Sequence, residues 1–211
     1  MGWKKPHTLT RYIHFLNNHS MREITFDIET ISKTASHRVD PSEQELTVVV
    51  IHDSQTNEYT SYIKEELPKL WPILEKADML IGFNSNTFDI PILNRYYPGD
   101  LSQILSLDLL VEVQKVLGRR IRLDLIARAT LGVGKSGEGL KAMEWWRNGE
   151  VEKVRAYCTD DVRITRKLYE YALEHGVLKY KDLHTTRDIK LNTDSWPQQP
   201  IDREFTHTLP L

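Results

Sequence analysis

The sequence predicts an α/β fold: a mixed five-stranded sheet flanked by helices. Three observations predict it. Residues 22–30 alternate apolar and polar in the manner of a strand, and residues 46–51 form an apolar run broken only by Thr47. The elements then follow in the order three strands, helix, strand, helix, strand, helices, the order of an α/β chain. Finally, the 211 residues, 40% of them hydrophobic and 27% charged, suffice for one large domain with appendages and a substantial core.

The first strand is Arg22-Glu-Ile-Thr-Phe-Asp-Ile-Glu-Thr30, with Ile24, Phe26 and Ile28 on one face and Thr25, Asp27 and Glu29 on the other. Residues 31–44 are polar and predict a loop. Residues 45–52 predict a second strand, its run Val48 to Ile51 suited to a sheet interior. A turn at Asp53 to Asn57 and a third strand at 58–64 complete a hairpin. Residues 65–76 predict a helix, with Pro68 in its first turn. Residues 78–84 form a fourth strand, and 88–96 a short helix. Residues 101–110 hold the last strand and the start of another helix. Residues 123–131 predict a helix ending at Gly132, residues 132–139 a glycine-rich loop, and residues 150–175 a long helix stopped by Gly176. The expected organisation is an N-terminal appendage at 1–20, one domain at 21–180 and an extended C-terminal tail at 181–211, pinned by Trp196.

Composition excludes several classes. Lys+Arg number 28 and Asp+Glu 30, so the chain is not a strongly basic binder, although a local patch can still attract phosphates. One cysteine, Cys158, excludes a disulfide framework or a cysteine-rich zinc site and points to a reducing, cytoplasmic compartment. No apolar run approaches the ~20 residues of a membrane span. Residues 1–20 carry Lys4, Lys5 and Arg11 without the apolar stretch of a secretory signal.

Three constellations carry chemistry. Asp27 and Glu29 lie two apart on a strand, so both carboxylates project from one face. Such a pair suits Mg²⁺ or Mn²⁺, and equally a solvated strand face. In Gly82-Phe-Asn-Ser-Asn-Thr-Phe-Asp89 a strand ends and an acid opens a helix. Asp89 there is either a helix cap or a residue at the carboxyl edge of the sheet, where ligands bind. Asn84 steadies the turn or reaches a substrate. On the long helix, Val154, Tyr157, Asp161, Ile164 and Leu168 trace one stripe. A buried acid in that stripe needs compensation, by a metal ion or by an arginine such as Arg122 or Arg128. Asp160 turns about 100° away from it, toward solvent.

The set Asp27-x-Glu29, Asn84-x-x-x-Phe88-Asp89 and Tyr157-x-x-x-Asp161 resembles the three motifs of the DEDD superfamily of 3′–5′ exonucleases, which have a ribonuclease H-like fold. A tyrosine four before the last acid resembles the DEDDy branch; the histidine branch would have its histidine where Ala156 stands. The stretch from Lys135 to Tyr180 is similar to exonuclease domains related to family B DNA polymerases. The resemblance covers about residues 22–180. It implies that Asp27, Glu29, Asp89 and Asp161 hold two divalent ions, Mg²⁺ or Mn²⁺, with Tyr157 orienting the attacking water. It further implies the 3′ end of single-stranded DNA or RNA as substrate, with Thr30, Asn84, Phe88 and Lys135 contacting it, and a polymerase or helicase as partner. A non-catalytic nucleic-acid-binding or adaptor module on the same fold is the alternative.

Other features weigh less. Ala129-Thr-Leu-Gly-Val-Gly-Lys-Ser136 nearly spells a phosphate-binding loop, but Ala129 replaces the first glycine and the preceding segment reads as helix rather than strand. Lys135 is then either a phosphate contact or a solvated loop lysine. Asp108 reads as a helix cap or, alternatively, as a residue lining the cleft. Trp145 and Trp146 stack on a base or pack in the core. Cys158 reads as a small buried hydrophobe. Arg119, Arg120 and Arg122 form a basic run that touches phosphates or faces solvent.

Overall fold

The computed structural model describes residues 21–32, 40–134, 139–183 and 185–197. Strands β1 (Glu23–Ser32), β2 (Gln44–Asp53), β3 (Glu58–Ile63), β4 (Met79–Gly82) and β5 (Leu105–Asp108) form one sheet in the order β3-β2-β1-β4-β5. β1, β2 and β3 pair antiparallel, whereas β4 pairs parallel with both β1 and β5. The sheet is therefore mixed and five-stranded, as the element order predicts. Helices α1 (Leu67–Glu75), α2 (Asp89–Leu93), α3 (Leu109–Leu117), α4 (Leu123–Leu131), α5 (Gly139–Arg147) and α6 (Val151–His175) complete the α/β architecture.

Both faces of the sheet are covered. Ile24, Phe26 and Ile28 of β1 pack with Leu70, Trp71 and Leu74 of α1 and Ile90 and Leu93 of α2. On the opposite face Val48 and Val50 meet Val154, Cys158 and Val162 of α6. This double cover explains the near-continuous apolar reading of β2.

Three elements differ from expectation. Helix α2 is only five residues long, because the chain leaves it in tight turns after Asn94. Residues 139–147, to which the sequence assigns no element beyond the loop ending at Gly139, form α5. After Gly176 (φ 67°) ends α6, strands β6 (Val177–Asp182) and β7 (Thr185–Lys190) pair as an antiparallel hairpin. Residues 185–188 are exposed, so no alternation marks β7 in the sequence. Tertiary packing decides it instead. Leu178, Ile189, Leu191 and Trp196 join the core of Ile126, Tyr169 and Ala172. The Thr130 hydroxyl also accepts from the Lys179 amide (2.8 Å) and donates to its carbonyl (3.2 Å), which satisfies the β6 edge.

Trp196 is 3% exposed, stacks on Tyr169 with centroids 5.7 Å apart, and donates from Nε1 to Glu112 Oε2 at 3.1 Å. Trp196→Ala is expected to cost about 3 kcal/mol, through lost burial and a cavity beside Tyr169. Urea unfolding checks this. A midpoint equal to that of the parent would mean that the segment after β7 is not part of the core.

Candidate metal centre

The parallel strands β1, β4 and β5 all end at one edge of the sheet, and Asp27, Glu29 and Asp89 lie there. β1 pairs with β4 only over residues 23–25, so its second half runs beyond β4. The Ile28 amide faces that missing neighbour. Asp89, the first residue of α2, supplies the acceptor: Ile28 N–H donates to Asp89 Oδ1 at 3.2 Å. Its carboxylate thus reaches across to β1, while Phe88 holds the cap position of α2.

A bulge shapes the same stretch of β1. The register with β2 shifts between Glu29 and Thr30, and Thr47 is the extra residue on β2. Its hydroxyl donates to the Glu29 carbonyl at 2.8 Å. The one polar residue in the apolar run of β2 therefore marks the place where β1 is bent beside its acids. Thr30 lies just past the bulge, and its hydroxyl donates to Gln44 Oε1 at 3.0 Å.

The turn from β4 to α2 is held from β5. Asp108 Oδ1 accepts from the Asn84 amide (2.7 Å) and the Leu110 amide (2.9 Å), and Oδ2 accepts from the Asn86 amide (3.1 Å). It caps α3, as its sequence position predicts, and also fixes the turn that delivers Asp89. Asn84 takes φ 70°, a left-handed conformation that Asn tolerates. Its Oδ1 accepts from Thr87 Oγ1 at 2.8 Å and from Arg120. A Cβ at Gly82 would collide with the Ser85 side chain, so only glycine lets the turn fold back this closely. Phe88 is half-buried against the α1–α2 core.

Helix α6 lays the third motif across the strand. Cys158 is fully buried, with Sγ 3.4 Å from the Asp27 carbonyl and 3.5 Å from Asp27 Oδ2. Ligand atoms of Asp27, Glu29 and Cys158 lie within 4.8 Å of one another. Asp161 follows Cys158 by one turn on the buried face and is 3% exposed. Of the two arginines considered for it, Arg122 pairs with Asp124 at 3.0 Å. Asp160 faces outward and pairs with Arg163, as helical geometry predicts. Tyr157 is 8% exposed and meets the edge of Trp145, ring centroids 6.2 Å apart. Tyr157, Asp161, Ile164 and Lys167 line a cleft of about 260 Å³, closed on the other side by Val133 and Gly134. A larger concavity of about 460 Å³, bounded by Asn86, Ile90 and residues 102–106, contains none of the four acids.

The electrostatics record the crowding. Burial, and then the Asp27 charge, push the Asp89 carboxyl well above the usual carboxylate range, and the Ile28 amide only partly offsets this. Burial pushes the Cys158 thiol well up, and the charges of Asp27, Glu29 and Asp161 push it further. The donor set is carboxylate oxygen at a sheet edge, backed by a thiol held in its neutral form. A desolvated carboxylate held up by the charge of its neighbour fits a hard divalent cation, whose charge would reverse that shift.

The structure thus groups Asp27 and Glu29 with Cys158 and brings Asp89 to Ile28 of β1, while Tyr157 and Asp161 line the cleft on α6. Lys135 lies outside the described residues. α4 is helical up to Gly132, so the context that a phosphate-binding loop requires, a preceding strand, is absent. Sequence reasoning did not anticipate the contact of Cys158 with Asp27 or the hold of Asp108 on the Asn84 turn. Only the position of Asp108 before an apolar helix pointed to the second.

A mixed sheet in this order, with Asp27, Glu29 and Asp89 where β1 runs past β4, defines a ribonuclease H-like fold with an acidic cluster. The chain belongs to the RNase_H superfamily, whose model matches residues 24–173. It is 26% identical over 200 residues to DNA polymerase 2 of Aeropyrum pernix, an alignment covering 74% of this chain and 24% of that protein. The family B DNA polymerase of Pyrobaculum calidifontis shares the fold, with a TM-score of 0.57 at 20% identity over 82% of this chain and 25% of the polymerase. The chain therefore spans about a quarter of the length of either relative. The similarity to exonuclease domains related to family B polymerases, seen in the motifs, is found again in these relatives.

Proposed function

We propose that the chain is a metal-dependent 3′–5′ exonuclease that hydrolyses phosphodiester bonds of single-stranded DNA or RNA and releases nucleoside monophosphates. The observations that support this reading are the grouping of Asp27 and Glu29 on β1 and the bond from Ile28 to Asp89, with Asp161 buried on the helix that packs Cys158 against Asp27. Asp27, Glu29, Asp89 and Asp161 would hold two divalent cations, which supply an ionised water and neutralise charge on the leaving 3′ oxygen. The protein's own part is to fix the carboxylates. The Thr47 bond holds the Glu29 backbone, and the Ile28 bond to Asp89 and the packing of Cys158 behind Asp27 restrict how far those two carboxylates can move. Tyr157, at the cleft beside Asp161, orients the attacking water through its hydroxyl. Similarity to polymerases supports nucleic acid as the substrate and a polymerase as a partner, and a reducing cytoplasmic compartment fits the single buried thiol.

The test is an end-labelled single strand, DNA or RNA, incubated with Mg²⁺, Mn²⁺ or chelator and resolved to single nucleotides. A ladder shortening from the 3′ end only with metal is expected. Full-length product in every lane, together with no heat of Mg²⁺ binding in calorimetry, would favour the non-catalytic module. Tyr157→Phe should lower kcat by about tenfold to a hundredfold, the scale of losing one orienting partner, and change KM much less. An unchanged kcat removes the hydroxyl from the reaction.

A further inference from the structure

The basic run between α3 and α4 has an environment that sets it apart. Ile121, 7% exposed, anchors the loop in the core, and Arg119, Arg120 and Arg122 around it are exposed. Most arginines of the described residues meet a carboxylate or a backbone carbonyl: Arg22 with Asp53, Arg95 with Ser42 and Gln44, Arg122 with Asp124, Arg155 with Glu66, Arg163 with Asp160, Arg166 with Glu170 and Arg187 with Asp182. Arg119 and Arg120 do not. The Arg119 guanidinium lies 5.4 Å over the Tyr180 ring, and Arg120 donates to the Asn84 side-chain oxygen. Among the described residues neither pairs with a carboxylate. On a chain of net charge −2, two guanidinium groups are left with their charge uncompensated.

Their position gives that charge a use. Arg120 is bonded to the residue that opens the turn to Asp89, so it stands at the rim of the acidic centre. Arg119 carries the positive surface away from that rim to the β6–β7 hairpin through Tyr180. A guanidinium offers five donors in a planar fork that fits phosphate oxygens, and one bond to Asn84 leaves most of them available. Tyr180 is buried, so its ring braces the Arg119 guanidinium, and the guanidinium plane is what faces solvent there. Acids at the centre repel a polyanion, so any strand brought there needs cations beside the path.

We propose that Arg119 and Arg120, with Tyr180 beneath Arg119, form a track for the sugar–phosphate backbone of a single-stranded nucleic acid, leading its 3′ end to the acidic centre. This rests on the nuclease reading above, and the test keeps the two apart. Binding of fluorescent single strands of about 15 nucleotides, DNA and RNA in separate arms, is followed by anisotropy in chelator, where no hydrolysis occurs. Arg119→Gln/Arg120→Gln should weaken binding about tenfold and reduce the slope of log affinity against log salt by about 1.4, the counterions of two phosphates on a single strand. In the hydrolysis assay the KM of the long strand should rise more than that of a dinucleotide, which is too short to follow the track. The milder Arg119→Gln alone leaves the bond to Asn84 in place and should give about half the slope change. An affinity and salt slope equal to those of the parent overturn the track. Hydrolysis absent from the parent with the binding difference intact overturns the nuclease reading and leaves the track standing.

Discussion

Replacing Asp161 by Ala is expected to cut metal-dependent hydrolysis by more than about 100-fold while leaving the chain folded. Loss of an outer-shell partner alone costs metal sites 10–100-fold, and Asp161 is proposed as a direct ligand. The side chain is 3% exposed on the face of α6 that meets β1. In chelator the variant should melt at the parent temperature or above it, because a desolvated carboxylate has been removed. In Mg²⁺ the parent gains stability by binding the ion in the folded state only, and the variant should lose most of that gain. Calorimetric melting with and without Mg²⁺, beside the hydrolysis assay, reads both effects. Undiminished activity in Asp161→Ala would remove this residue from the centre, and Asp161→Asn controls for any repacking of α6.

Asp108→Ala is the variant expected to be most costly to the fold. One buried carboxylate accepts three backbone amides, those of Asn84, Asn86 and Leu110, at 2.7, 3.1 and 2.9 Å. Leaving a buried donor unsatisfied costs about 1–3 kcal/mol, and water entering the gap recovers part of it, so a loss of roughly 4 kcal/mol is expected. Asp108→Asn keeps an acceptor oxygen and should lose less. Because the same amides hold the turn before Asp89, activity of the folded fraction should fall as well. Urea unfolding and hydrolysis well below the midpoint separate the two effects. A stability within 1 kcal/mol of the parent would mean that the turn is held by other contacts.

Much of the fold was legible because the patterns were local. The alternation of β1, the apolar run of β2 and the stop of α6 at Gly176 are each written within a few residues, and each appears where expected. The hairpin of β6 and β7 was not legible. Its exposed residues Thr185 to Asp188 carry no alternation, and Leu178, Ile189 and Trp196 matter only because Tyr169 and Ile126 stand opposite them. The cap role of Asp108 could be read from its place before α3. Its hold on Asn84 could not, since that contact spans 24 residues.

The candidate site divides along the same line. By its own spacing the sequence determined that Asp27 and Glu29 share a strand face and that Tyr157 and Asp161 share a helical face, since pleat and helical pitch fix such relations without any partner. Whether those faces meet was decided only by the tertiary structure. β1 runs past β4, so the Ile28 amide, without a strand partner there, draws Asp89 inward, and α6 packs Cys158 against Asp27, which buries Asp161 about one turn further along the helix. Backbone periodicity places neighbours along one element. Only burial of two faces against each other, and the need to satisfy a buried amide, brings distant acids together.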